Sequence, residues 1–257
     1  RVGIVGIGWW SDVLAGVITK SDKLELRAGF SRSPDKVAKF AEEFGCEAMP
    51  SYEAMLALDD LDGVILTTPN SAHLPGTEAA AAAGKHVFVE KPVSNSIEDG
   101  RAMIAACEAA GVVLAVGHSY RRNGALRHLK HLIDSLLYLL GDAGEVTAYF
   151  NRLETEPEIE DVTALLMQFK SGAVGYVAAD YISPRRFTLA IHGTKANAFF
   201  DMDNDGLRIQ RTGETAPSPV DYTPADHLLV ELEDFADAVA ESRRPEIDGR
   251  DGLVPLA

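Results

Sequence analysis

Short apolar runs alternate with helix-like stretches through the first half of the chain, and few folds accommodate that alternation. Val2-Gly3-Ile4-Val5 leads through Gly6-Ile7-Gly8-Trp9-Trp10-Ser11 into a helical pattern over 12–20. The runs 24–30, 63–66, 84–89 and 112–116 repeat the strand pattern. Between them lie helical stretches, among them an alanine-rich one ending near Gly84 and another over 97–110. Strands and helices alternating at this spacing predict a doubly wound parallel sheet. Ligands bind such sheets outside the carboxyl ends of the strands, so the residues just past each run are where chemistry is expected.

Gly6 and Gly8 permit a tight turn and the close approach of a pyrophosphate to a helix N-terminus, where free amides and the helix dipole favour an anion. Ser11 stands where the dinucleotide-binding fingerprint usually has its third glycine, which predicts a helix crossing slightly further from the strand. The second strand ends in Ser31-Arg32-Ser33-Pro34 and offers no acidic residue for the ribose hydroxyls of NAD. A hydroxyl and a guanidinium suit the extra phosphate of NADP, so NADP(H) is the preferred cofactor, NAD(H) the other possibility, and an ordinary surface arginine the plain reading of Arg32. Thr67, Thr68, Pro69, Asn70 and His73 follow the next strand within reach of pyrophosphate, ribose or nicotinamide; Asn70 and Ser71 also have the chemistry of helix caps. Glu90-Lys91-Pro92 closes the run at 84–89. Proline restricts the residue before it and permits a cis bond, so Lys91 is expected to be held in one direction at the strand end.

These residues resemble the family of glucose-fructose oxidoreductase, inositol 2-dehydrogenase and the rhizopine-catabolism dehydrogenases, called Gfo/Idh/MocA. The resemblance rests on Gly6 and Gly8, Thr67-Thr68-Pro69-Asn70 with His73, Glu90-Lys91-Pro92, and Gly117-His118 followed by Arg121-Arg122-Asn123, and it covers nearly the whole chain. It implies an α/β protein: an N-terminal Rossmann domain, and a C-terminal α+β domain on a large, mostly antiparallel sheet. It also implies NAD(P)-dependent oxidation or reduction of sugars, polyols and related alcohols. Carried over to this sequence, Lys91 is the catalytic or substrate-orienting lysine. Gly6, Gly8, Trp9, Trp10, Ser31, Arg32, Thr67, Thr68, Pro69, Asn70, His73, Glu90 and Lys91 itself surround the cofactor. One tryptophan packing as ordinary core is the other reading of Trp9 and Trp10.

The expected domains are 1–119 and 120–257. Strand patterns recur at 145–153, 161–170, 175–181, 187–193, 196–202 and 207–211, with turn signals at 170–172 and 203–206, and an acidic amphipathic helix is expected over 226–242 with Pro224 near its start. Ile191-His192-Gly193-Thr194-Lys195 reads as a structural bend. One departure from the family concerns a helix that normally bears an aspartate and, four residues later, a histidine on one face. His131 matches the histidine, but Arg127 stands four residues before it, as if several tens of residues were left out near 130/131. Either the sequence omits a segment or the protein carries a deletion.

Oxidising a secondary alcohol needs a base for the hydroxyl proton. Lys91 qualifies if partial burial and an oxidised nicotinamide lower its pKa, and His131 is the second candidate, with a surface role as its alternative. His118 reads as structural at its strand end or as bordering substrate, and Tyr120 as bordering the pocket. The alternative function is an NAD(P)-binding sensor or scaffold without turnover. A net charge of −15 on 257 residues disfavours nucleic acid and acidic lipid, and no apolar run spans a bilayer. Two cysteines, Cys46 and Cys107, suit free thiols in a reducing cytoplasm, and no metal-ligand spacing occurs. An open sheet face in the second domain suits a homodimer or homotetramer.

Overall fold

The computed structural model describes residues 1–118, 137, 139–153, 162–180, 183–184, 186–201, 206–222 and 226–254. The chain divides into two compact units, one of Arg1–Arg122 with Asp226–Ala257 and one of Asn123–Ala225.

In the first unit β1 (Val2–Val5), β2 (Leu26–Phe30), β3 (Glu47–Ala48), β4 (Gly63–Leu66), β5 (His86–Glu90) and β6 (Leu114–Gly117) form one sheet in the order β3-β2-β1-β4-β5-β6. Every pairing is parallel. The strands β1, β4 and β6 are buried at every residue, which is why they read as unbroken apolar runs without alternation. The crossovers are α1 (Trp9–Ile18), α2 (Pro34–Phe44), α3 (Tyr52–Leu56), α4 (His73–Ala82) and α5 (Ile97–Ala110). Ser51 and Ser96 cap α3 and α5 by accepting the Ala54 and Asp99 amides.

The final helices, α6 (His227–Ala240) and α7 (Gly249–Leu253), correct the expected domain boundary. The second domain was expected to run to residue 257, yet everything from Asp226 packs with the first unit. The cause is an apolar stripe on α6, Leu228, Leu232, Phe235 and Val239, at helical spacing. It lies with Ile4, Leu14, Ile18, Ile65 and Phe88 in one core cluster. The Phe235 ring meets Phe88 edge-on at 5.9 Å, and both are buried. Two such rings contribute roughly 1.5–3 kcal/mol each by burial. Beyond α6 the chain adds an antiparallel bridge from Asp248 to Ala115, with the Val116 amide donating to Ile247 O at 3.1 Å. Asp226, not the Thr223-Pro224 pair, caps α6 by accepting the Leu229 amide, and 223–225 lie outside the described residues.

The second unit is antiparallel, as expected, and among the described residues it forms two hydrogen-bonded sheets. One holds β7 (Ala143–Asn151), β8 (Val162–Phe169) and β9 (Val174–Asp180); the other holds β10 (Thr188–His192), β11 (Ala196–Asp201), β12 (Gly206–Arg211) and β13 (Ser218–Pro219). The stretch at 191–195 is the turn of the β10–β11 hairpin, closed by the Gly193 amide on Ala196 O. Met167, Phe169 and Val177 are buried beneath β8 and β9.

Candidate functional site

The carboxyl ends of β1, β4, β5 and β6 lie side by side because these strands are neighbours in a parallel sheet. At about 4.8 Å per strand, the turn after β1 stands roughly 10 Å from the residue that follows β5.

Gly6 adopts φ +99°, a conformation that glycine takes without strain. A β carbon there would lie 2.9 Å from the Thr67 carbonyl and the Thr68 nitrogen, so the two loops touch through glycine's missing side chain. Thr67 fastens the contact, its hydroxyl donating to Gly6 O at 2.7 Å with Val5 O at 3.1 Å. Its hydroxyl is therefore committed to the turn. The Thr68 hydroxyl, in contrast, is buried without a hydrogen-bond partner among the described residues.

A β carbon on Gly8 would meet nothing within 4 Å. The helix α1 starts immediately after it, and the Trp9 and Trp10 amides have no partner among the described residues. Ser11 is fully buried; its Oγ accepts from the Gly8 amide at 2.8 Å and donates to Gly8 O at 2.6 Å. The residue in place of the third glycine thus closes the turn on itself. Trp9 is 76% exposed, whereas Trp10 packs against the core, its ring 5.4 Å from that of Trp9.

Past β2, Ser31 is half-buried and its hydroxyl faces the Ser33 backbone, with N–H and O at 3.3 and 3.4 Å. Arg32 is exposed and has no ion pair among the described residues. Past β4, neither Asn70 nor Ser71 caps a helix, which corrects that expectation: the chain enters a 3-10 turn at Asn70–Ala72, and α4 starts from Ala72 without a side-chain cap. The half-buried Asn70 amide keeps its hydrogen-bonding capacity.

His73 is also corrected. It was expected at the cofactor, but it is fully buried, with Nε2 2.9 Å from Thr68 O and Nδ1 3.2 Å from both Pro92 O and Val93 O. Both nitrogens face backbone carbonyls, so the ring ties the loop after β4 to the turn after β5.

The Lys91-Pro92 bond is cis. Lys91 is exposed as the first residue beyond the sheet, and its amine has no ion pair or hydrogen bond among the described residues. Glu90 beneath it is buried, and burial pushes its pKa up from the usual carboxylate range against the opposing effects of Trp10 and of the Lys91 amide and charge. His118 follows β6 half-buried, its amide donating to Val116 O. Tyr120 and His131 lie outside the described residues. Sequence reasoning missed Gly117 as a site residue, although a glycine ending a buried strand opposite Glu90 was a usable sign of close approach.

The residues fit a dinucleotide. Open space at Gly8 and, without partners among the described residues, the amides at the start of α1, the buried Thr68 hydroxyl and the Arg32 guanidinium suit a pyrophosphate-linked, negatively charged ligand. No group of metal-ligating side chains occurs among the described residues, and no helix there is long and apolar enough to cross a membrane. Cys46 and Cys107 are free thiols, the latter's pKa pushed up to about 12 by burial.

Comparison with known proteins agrees with this geometry. Residues 1–118 match the model of an oxidoreductase family with an NAD-binding Rossmann fold, and residues 121–199 match the GFO/IDH/MocA C-terminal domain. The chain belongs to the GFO/IDH/MocA family. UDP-N-acetylglucosamine 3-dehydrogenase of Acidithiobacillus ferrooxidans is 28% identical over 301 aligned positions, covering 100% of this chain and 94% of the relative. The alignment runs to 301 positions against the 257 residues of this chain, so it contains gaps opposite the relative. Its crystal structure superposes with a TM-score of 0.91 at 26% identity, over the same shares of the two chains. An oxidoreductase structure from Desulfitobacterium hafniense superposes with a TM-score of 0.93 at 30% identity, covering 99% of this chain and 92% of the other. An uncharacterized oxidoreductase of Streptococcus pneumoniae is 34% identical over 134 residues, 52% of this chain and 36% of the relative.

The turn at Gly6 gives a direct test. Gly6→Ala is expected to weaken NADPH and NADH binding by about tenfold or more, roughly 1.4 kcal/mol, in a fluorescence titration. Unchanged affinity would mean that the turn does not cradle the dinucleotide.

Proposed function

We propose that this family member is an NAD(P)-dependent dehydrogenase or reductase that moves a hydride between the nicotinamide and a secondary alcohol or ketone of a sugar, polyol or related small molecule. The observation that carries this reading is Lys91: an exposed amine with no partner among the described residues, on the same sheet edge as the glycine turn. When bound, the dinucleotide supplies the hydride acceptor or donor. The Trp9 and Trp10 amides and the Thr68 hydroxyl would hold its phosphates and ribose. Lys91 Nζ takes the hydroxyl proton during oxidation and returns it during reduction, which a positioned base typically makes about 10²–10⁴-fold faster. His73 keeps that amine's turn fastened to the cofactor loop.

Ser31 and Arg32 support NADP(H) over NAD(H), since a guanidinium without an ion pair among the described residues offers a planar fork of donors to the extra phosphate. A nucleotide-linked amino sugar is the first substrate to test, given the full-length similarity to a UDP-N-acetylglucosamine dehydrogenase.

A homodimer or homotetramer is supported by the three-stranded sheet. Register places Tyr149, Leu166, Val174 and Tyr176 on one face, and they are 72, 54, 67 and 79% exposed. An apolar patch of this kind on a sheet suits a self-complementary contact.

Three outcomes are expected. Lys91→Ala loses about 10²–10⁴-fold in kcat on whichever nucleotide sugar, sugar or polyol the wild type turns over, with cofactor affinity within about twofold; substantial residual turnover would defeat the role. Arg32→Ala lowers the ratio of NADPH to NADH affinity by about tenfold, and an unchanged ratio would assign Arg32 to the plain surface. Sedimentation equilibrium shows an oligomer that Tyr176→Asp dissociates; a monomeric wild type would remove that reading.

A further inference from the structure

Glu90 ends β5 opposite Gly117 of β6, and its carboxyl is confined there. Oε2 accepts the Lys91 amide at 3.2 Å. A β carbon on Gly117 would have the Glu90 carboxyl as its three nearest heavy atoms, Oε1 at 2.9 Å, Cδ at 3.0 Å and Oε2 at 3.1 Å. Gly117 does not have a positive φ, so its absent side chain serves the carboxyl and not the backbone. The Trp10 indole N–H is buried without a hydrogen-bond partner among the described residues, and it is one of the groups that favour the charged carboxyl against burial.

We propose that Trp10 and Gly117 are positioning residues which seat the Glu90 carboxylate and, through its bond to the Lys91 amide, fix the direction of Lys91. This rests on the reading of Lys91 as the proton-transfer residue. Pro92 has no N–H, so the Lys91 amide is the last backbone donor before the cis bond, and Glu90 accepts it. A carboxylate accepts more strongly than a neutral acid, so the seat works best with Glu90 ionised. Gly117 leaves the carboxyl room to stay over the amide, and Trp10 supplies the neutral donor that offsets burial. The charged group acting on Glu90 is Lys91. Other ionisable side chains on the surrounding elements are Asp12 on α1, His73 on α4 and His118 after β6.

The sign of the pH effect follows. Burial raises Glu90 from its ordinary 4.5, so the fold favours its neutral acid: Glu90's own contribution to stability is fully present below that value and is lost as the group ionises at higher pH. The seat therefore opposes stability while favouring function. Glu90→Gln, which resembles the neutral acid, is expected to keep or raise the melting temperature at neutral pH while lowering kcat. A merely structural glutamate would lower both.

The deciding experiment is a pH titration of the full chain by two-dimensional ¹⁵N NMR, read at the Trp10 indole and the Lys91 amide. Both resonances are expected to move with one midpoint above 4.5, to stop moving in Glu90→Gln, and in Trp10→Phe the Lys91 amide midpoint should rise. Independent midpoints, or titration that persists in Glu90→Gln, would overturn the seat. With UDP-N-acetylglucosamine or another substrate that the wild type turns over, Gly117→Ala is expected to lower kcat about tenfold with NADPH affinity unchanged. Trp10→Phe should move the acid limb of the rate profile upward, yet add nothing in a Glu90→Gln background. Additive losses would also overturn it. Lys91→Ala separates the two readings: if that variant stays active the lysine role fails, whereas NMR still decides whether the seat exists.

Discussion

The parallel ladder between β1 and β4 is the contact on which the candidate site depends. It pairs Val5 with Leu66 and so brings the two following loops together at the point where the sheet's connections change direction. Gly6 and Thr67 then meet at a distance that no β carbon would allow. Shifting this pairing by one residue would separate the glycine turn from the loop after β4 and carry the Thr67 hydroxyl away from Gly6 O. The buried strands hold the register, since every residue of both is buried and all but Gly3 and Gly63 lie in a core cluster.

Hydrogen bonding at this edge divides residues that build the site from those left to serve it. Thr67, Ser11 and His73 commit their polar atoms to backbone groups of the loops. Thr68, Asn70, Arg32, Lys91 and the first amides of α1 have no such partner among the described residues. That division agrees with the physics of buried polar groups: one inside the loops is expected to find a partner there, and the buried Thr68 hydroxyl, which finds none, is the one that asks for a ligand. Glu90 is the exception, a buried carboxyl raised in pKa that accepts the Lys91 amide and lies against the empty space of a glycine. A group kept at such cost is more readily explained by function than by stability.

Much of this was legible in the residues. The runs before Gly6, Thr67 and Lys91 are strands because they are apolar on both faces, and the six strand patterns of the second unit fall within two residues of those observed. Local patterns sufficed because the signals, period-two alternation and glycine or asparagine turns, are themselves local. The errors were of another kind. The helix over 227–240 was recognised as amphipathic but assigned to the wrong unit, since an apolar stripe does not name the surface that covers it. His73 was placed at a ligand because a histidine after a strand end looks available until the carbonyls of Pro92 and Val93, some twenty residues away in sequence, are seen beside it.

The sequence by itself determined the order of strands and helices, the glycine turn, the lysine at a strand end and the family to which the chain belongs, because these are patterns of neighbouring residues or of motifs in fixed order. Only the tertiary structure decided which polar atoms are already occupied. It showed that Thr67 closes the turn while Thr68 does not, that Ser11 binds back to Gly8, and that Gly117 leaves room for Glu90. Those outcomes depend on contacts between separate strands, and the distances that set them arise when a hydrophobic core fixes the sheet's register.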